Sequence, residues 1–223
     1  MFLPNHLMIR VSAIAACCTV VTMFVLFLVT GVGQDPLQYV HPVDEYFRLL
    51  TANAQTLKIA IGFDNLFIAF YSAAFVGMAV RARALGGPST LINVAFAGIA
   101  ALTVLDVFEN MHFLSMIAQA QAGLAPSAGE IELQVWESLV KFHVGYVAIF
   151  LMGFALPRRT GAERLLSNLS FFVQLPVGVA IYIAPRELAV PLVMVRFTYF
   201  AVALALVAFT AKEADVRVRA EIS

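Results

Sequence analysis

Apolar residues along this chain fall into runs too long and too evenly apolar to mark one buried face of a soluble helix. A helix needs roughly 20 such residues to cross the hydrocarbon of a bilayer, with every backbone N–H and C=O satisfied inside the segment. Six stretches meet that length, at about 10–32, 57–80, 91–118, 138–156, 168–185 and 190–211. Breakers separate them, most clearly Gly86-Gly87-Pro88 and Pro157-Arg158-Arg159. The fifth run is the shortest and carries Gln174 and Pro176 near its middle, which predicts a kink. The first run, after Arg10, is longer than the apolar region of a signal peptide and has no A-x-A-like end, so it reads as a retained first helix. The pattern predicts an all-α integral membrane protein, a bundle of six transmembrane helices forming a single polytopic membrane domain over residues 1–223.

The connections are patterned too. Within 33–56, His41-Pro42 precedes Val43, Phe47 and Leu50 set among charges, which predicts one short amphipathic segment on the outer surface. The connection 119–137 holds Gly123, Pro126 and Gly129 and ends at Trp136, a residue suited to a membrane interface. No repeat is visible along the chain.

Composition agrees with this reading. Of 223 residues 61% are apolar and 13% charged, and the mean hydropathy of +0.89 lies outside the soluble range. Lys and Arg number 14 against 14 Asp and Glu, so no basic excess points to nucleic acid. Cys17 and Cys18 are adjacent within an apolar run, where a helix directs them apart, and they read as packing residues.

Charge position sets the orientation, because short loops rich in Lys and Arg stay cytoplasmic. Arg10, Arg81, Arg83, Arg158, Arg159, Arg164, Lys212, Arg217 and Arg219 flank one set of span ends. The opposite set holds Arg48 and Arg186 with Asp35, Asp44, Glu45, Glu130, Glu132, Glu137 and Glu187. This predicts a multi-pass protein of the cell membrane with both termini cytoplasmic.

Away from the first residues of the predicted spans, seven Asp, Glu, His, Lys or Arg residues fall within them: Asp64, Asp106, Glu109, His112, Lys141, His143 and Arg196. Such groups cost several kcal/mol when unpaired in a membrane and mark function by default. With the predicted orientation they gather in the outer half of the bilayer, while the inner half is nearly free of charge. Asp106, Glu109, Asn110 and Phe113 share one helix face by their i, i+3, i+4 and i+7 spacing. Two carboxylates so close do not both ionise cheaply in low dielectric unless Lys141 or Arg196 neutralises one, a state suited to acid–base work. Lys141 and His143 lie about 200° apart around their helix, so only one faces the site. Lys141 is the better partner for the acids, with Glu137 one turn before it as an alternative partner.

The expected catalytic set is Asp106, Glu109, Asp64 and Lys141, with Asn110, Asn65, Tyr71, Arg196 and His143 contacting substrate. Tyr146 and Tyr199 are further lining candidates. The bland alternative is an ion-pair network that fixes helix packing, or for Arg196 and Lys141 snorkelling to the interface. The cofactor is unknown. Bis-histidine haem ligation by His112 and His143, or a metal held by either with carboxylates, is an alternative that no HxxxH or HxxE spacing supports. No P-loop, dinucleotide fingerprint or nucleophile motif occurs.

Three functions fit these residues. The first is an intramembrane enzyme acting on a lipid or isoprenoid-like apolar substrate. The second is a proton- or cation-coupled transporter or channel, and the third a non-catalytic lipid-, pigment- or haem-binding subunit of a membrane complex. Expected partners are membrane lipid and an apolar small molecule, with a homo-oligomer or complex as an option.

Overall fold

A computed structural model describes residues 5–222, with side chains described over 6–211 except at 186 and 189. The side chains of Arg186, Lys212, Arg217 and Arg219, used above for orientation, lie outside the described residues. The described chain is all-helical. Its helices are α1 (Asn5–Thr30), α2 (Val43–Ala52), α3 (Ala54–Ala84), α4 (Ser89–Gln121), α5 (Ala128–Ala155), α6 (Gly161–Leu169), α7 (Leu175–Ile183) and α8 (Arg186–Ile222). A π-helical turn, Ser170–Gln174, joins α6 to α7. Six segments are long and apolar enough to cross a membrane: within α1, α3, α4, α5, α6 with α7, and α8.

These helices run past the sequence-predicted ends where caps allow it. Ser127 accepts from the Glu130 backbone N–H and starts α5 at Ala128, so the connection expected over 119–137 shrinks to a few residues and Trp136 becomes an exposed helix residue. Thr160 and Glu163 form a reciprocal capping box that starts the fifth span at Gly161. Pro176 has no N–H for the carbonyl of Phe172, and the π turn before it accommodates the break where a kink was expected.

Each span packs on its neighbours in sequence, and α1 closes the ring against α8. Small residues permit this approach. A Cβ on Gly77 would overlap Ile9, one on Gly98 would come within 2.8 Å of Ala148, and one on Gly178 would overlap the Tyr146 ring. Outward faces carry exposed apolar side chains such as Val29, Phe108, Phe172 and Ile183.

One end of the ring is capped by the α1–α3 connection. A 3₁₀ turn, Asp35–Gln38, leads to α2, the amphipathic segment predicted from sequence. Its buried face is Tyr46 and Leu50, with Val43 and Phe47 partly buried. These pack with Leu37 against Leu57, Ile61, Phe113, Met116, Ile117 and Ile131, so α2 seals the ends of three spans. Tyr46 donates its hydroxyl to the Leu37 carbonyl at 3.0 Å, and His41 bonds Glu45 at 3.1 Å and the Pro36 carbonyl at 2.8 Å. The far end is closed by Ile9, Ala13, Met78, Leu166 and Val207 and by Arg81, which donates to Glu163 at 2.7 Å.

Candidate functional site

On α4, the predicted stripe of Asp106, Glu109, Asn110 and Phe113 is buried throughout. Across from it on α5, Lys141 donates to Glu109 Oε2 and stands 3.1 Å from Asp106 Oδ1. Ser138, one turn earlier on α5, donates to Glu109 Oε1. Tyr71 of α3 donates to Asp106 Oδ2 at 2.5 Å. Both oxygens of Asp106 and both of Glu109 are therefore engaged, and Lys141 serves both carboxylates.

Asp64 of α3 joins the same group differently. Its Oδ2 accepts from Asn110 Nδ2 at 2.8 Å, and that amide also donates to Asn65 Oδ1 at 3.0 Å. Among the described residues no Lys, Arg or His forms an ion pair with Asp64. Three carboxylates thus meet one ammonium.

Arg196 of α8 does not complete that charge balance. It donates to Asp35 Oδ1 at 2.6 Å, in the turn that follows α1, and its guanidinium lies 4.5 Å from the Phe142 ring centroid. Lys141 Nζ is 4.2 Å from the centroid of that ring, so one aromatic residue of α5 carries two cations. At 5% exposure Arg196 is buried within the ring rather than snorkelling out of it.

These groups form one end of a central cavity of about 180 Å³. All six spans line it. Asp35, Asp64, Asp106, Lys141, Arg196, Tyr71 and Tyr146 supply polar wall, while Met78, Leu102, Met152, Leu166, Leu204 and Val207 are among its apolar lining. Ser170, Gln174 and Tyr199 line it as well, so Tyr146 and Tyr199 both stand on its wall. Glu109, Asn110 and Asn65 do not line it: Glu109 and Asn110 are wholly buried behind the wall.

Two groupings raised as alternatives, His112 with His143 and Glu137 with Lys141, do not form. His143 is exposed, bonds the Leu139 carbonyl of its own helix at 2.7 Å, and packs 5.4 Å from the Tyr182 ring, outside the cavity wall. His112 instead holds Glu137 at 2.7 Å, with Glu130 at 3.9 Å. Glu137 is thereby drawn away from Lys141. Among the described residues no three His, Cys, Asp or Glu side chains are grouped as ligands for a metal ion. Sequence reasoning did not single out Ser138, Phe142 or Asp35 for the site. Ser138 was findable from its position one turn before Lys141, whereas Asp35 sits in a connection and carries no local signal.

Six apolar helices closed into a ring around one cavity have the architecture of a polytopic membrane protein. Comparison with protein-family models, with curated proteins and with solved structures finds no match for the chain.

Proposed function

We propose that this protein is a membrane-embedded enzyme that takes the chain of a lipid or isoprenoid-like substrate into the central cavity and performs acid–base chemistry at its polar end. The observation that carries the reading is the polarity of that cavity, which runs from a largely apolar wall to a single end bearing Asp64, Asp106 and Lys141. A cavity needs roughly 10–15 Å³ of space to hold one water, so this one has the bulk of about a dozen waters, suited to one long hydrocarbon chain. Asp64, held by a neutral amide, is placed to take a proton from substrate. Asp64 returns that proton to complete the cycle, while Asp106, held as a carboxylate by Lys141 and Tyr71, is placed to stabilise a developing positive charge. Glu109 becomes a positioning residue, since it holds Lys141 from behind the wall.

A transporter would need polar groups continuing to the other end. Beyond Ser170 and Gln174 the wall is apolar, at Met78, Leu156, Leu166 and Val207, which supports local chemistry over passage. Extraction and mass analysis of small molecules retained by the purified protein test the reading. Wild type and Asp106→Asn taken from the same cells are expected to differ, with the variant holding an apolar molecule that wild type converts. Identical retained species that match the bulk lipid would overturn the proposal.

A further inference from the structure

The polar end of the cavity has a chemistry of its own. Its two cations are already spoken for, Arg196 by Asp35 and Lys141 by Asp106 and Glu109. An anionic head entering here meets neutralised cations and the carboxylate of Asp64, so repulsion is left standing. Counting the wall and the residue behind it, four carboxyl groups, Asp35, Asp64, Asp106 and Glu109, stand with two cations, Lys141 and Arg196, so the site has acidic groups to spare and no free cation. Asp64, Phe67 and Tyr71 follow one another along a single face of α3, with the two rings edge to face at 5.2 Å, and all three line the cavity. A carboxyl group beside aromatic rings is the arrangement that receives an ammonium group, by charge and by the ring quadrupole together.

An independent observation comes from the other side. Tyr146 of α5 is 2% exposed and lines the cavity, beside Arg196, yet its hydroxyl reaches hydrogen-bonding geometry with no protein group. Buried hydroxyls without a partner are uncommon and point to one supplied from outside the chain. The phenol both donates and accepts, so it is free to bond a polar group that enters this end of the cavity.

We propose that the cavity selects a single-chain amphiphile with an amine head, the ammonium seated between Asp64 and the Phe67–Tyr71 rings and the hydrocarbon running along the apolar wall. This deepens the enzyme reading and rests on its assignment of the cavity to an apolar chain. The head is bound as the ammonium, which balances Asp64 without disturbing the Lys141 and Arg196 pairs.

The test uses the full chain in discs of neutral lipid, with octadecylamine, octadecanol and octadecanoate each competing against a fluorescent alkyl probe and empty discs subtracted. The amine is expected to compete about tenfold better than the alcohol, the worth of one charge-assisted hydrogen bond, and the carboxylate worst. Asp64→Asn, checked for folding by its melting curve, brings amine and alcohol to within about twofold of each other once that bond is lost. Where that variant does not fold, Phe67→Leu reports instead, with the amine preference reduced about threefold. Equal competition by the three heads, a preference for the carboxylate, or selectivity unchanged in the variant overturns the amine head while leaving the cavity assignment intact. Displacement no greater than in Ala203→Trp, which fills the cavity, overturns the assignment and the head together.

Discussion

Arg196, buried, and Asp35, partly buried, 161 positions apart in sequence, form an ion pair at 2.6 Å that fastens the last span to the connection following the first. The pair closes the ring at the polar end of the cavity, and Phe142 supports it from α5. Removing one partner leaves the other charge buried and unpaired, which costs about 3 kcal/mol. Arg196→Ala and Asp35→Ala are each expected to lower stability by about that amount in detergent unfolding titrations. Replacing both with apolar residues of similar size recovers most of the loss, and a double variant as unstable as the sum of the singles would show that the two residues act separately.

Lys141 carries a heavier load. Its removal leaves Glu109, which has no exposure, with Ser138 as its remaining hydrogen-bond partner, and Asp106 with Tyr71. Lys141→Met is therefore expected to cost about 3–5 kcal/mol, among the largest single effects in the chain. Lys141→Met combined with Glu109→Gln restores part of it. Thermal unfolding of the three proteins checks the order.

Gly178 of α7 makes room for the ring of Tyr146, and an added methyl would overlap that ring. Gly178→Ala should cost about 1–3 kcal/mol through overpacking. Tyr146→Phe does not relieve the clash, because the obstruction is the ring and not the hydroxyl, whereas Tyr146→Leu does. Melting temperatures of the two double variants separate these outcomes.

The helical stripe on α4 was legible because spacing on a regular helix fixes direction: Asp106, Glu109, Asn110 and Phe113 all turn inward together. The same rule separated Lys141 from His143, and the structure puts the first against α4 and the second against Tyr182. What could not be read was which stripe meets which. Arg196 has opposite charges within reach on paper at Asp64, Asp106 and Glu109, yet it pairs with Asp35, a choice set by ring closure and by the path of the 3₁₀ turn. The division between Asp106 on the cavity wall and Glu109 behind it depends likewise on where α5 places Lys141. The span ends moved because Ser127 and Thr160 act as caps, a polar signal that hydrophobic runs do not record.

The cap over the bundle has its own pH signature. Burial, and after it the charges of Glu109, Glu130 and Glu137, push the Tyr46 phenol above its ordinary value, while its hydroxyl donates to the Leu37 carbonyl. The protonated form is thus favoured in the folded protein, so its contribution is complete below about pH 10, where the unfolded tyrosine is also protonated. Above that the unfolded chain releases this proton first, and stability falls by up to about 1.4 kcal/mol per pH unit. Tyr46→Phe loses about 1 kcal/mol at neutral pH with its hydrogen bond. The difference between the two proteins should shrink as pH is raised from 9 to 11, in denaturant midpoints taken at each pH; a constant difference would remove Tyr46 as the titrating group.

Asp106 and Glu109 look equivalent on one helix face, yet the cavity divides them. Asp106→Asn leaves Lys141 with Glu109 and keeps an acceptor for Tyr71, so the fold changes little while the proposed reaction loses its carboxylate. A loss of about 10²-fold or more in turnover is expected from removing a positioned charge at the reacting centre. Glu109→Gln acts in the opposite way. It removes the negative charge facing Lys141 and leaves one acceptor where Lys141 and Ser138 had two, lowering stability by about 1–3 kcal/mol as charge-assisted bonding is lost inside the bundle. Because Glu109 does not touch the cavity, turnover in the folded fraction survives to within about tenfold, well short of the loss from a catalytic carboxylate. Unfolding titrations alongside turnover of the retained apolar molecule read the two axes separately. Equal loss of turnover in both variants would place Glu109 in the chemistry, and unchanged turnover in Asp106→Asn would remove Asp106 from it.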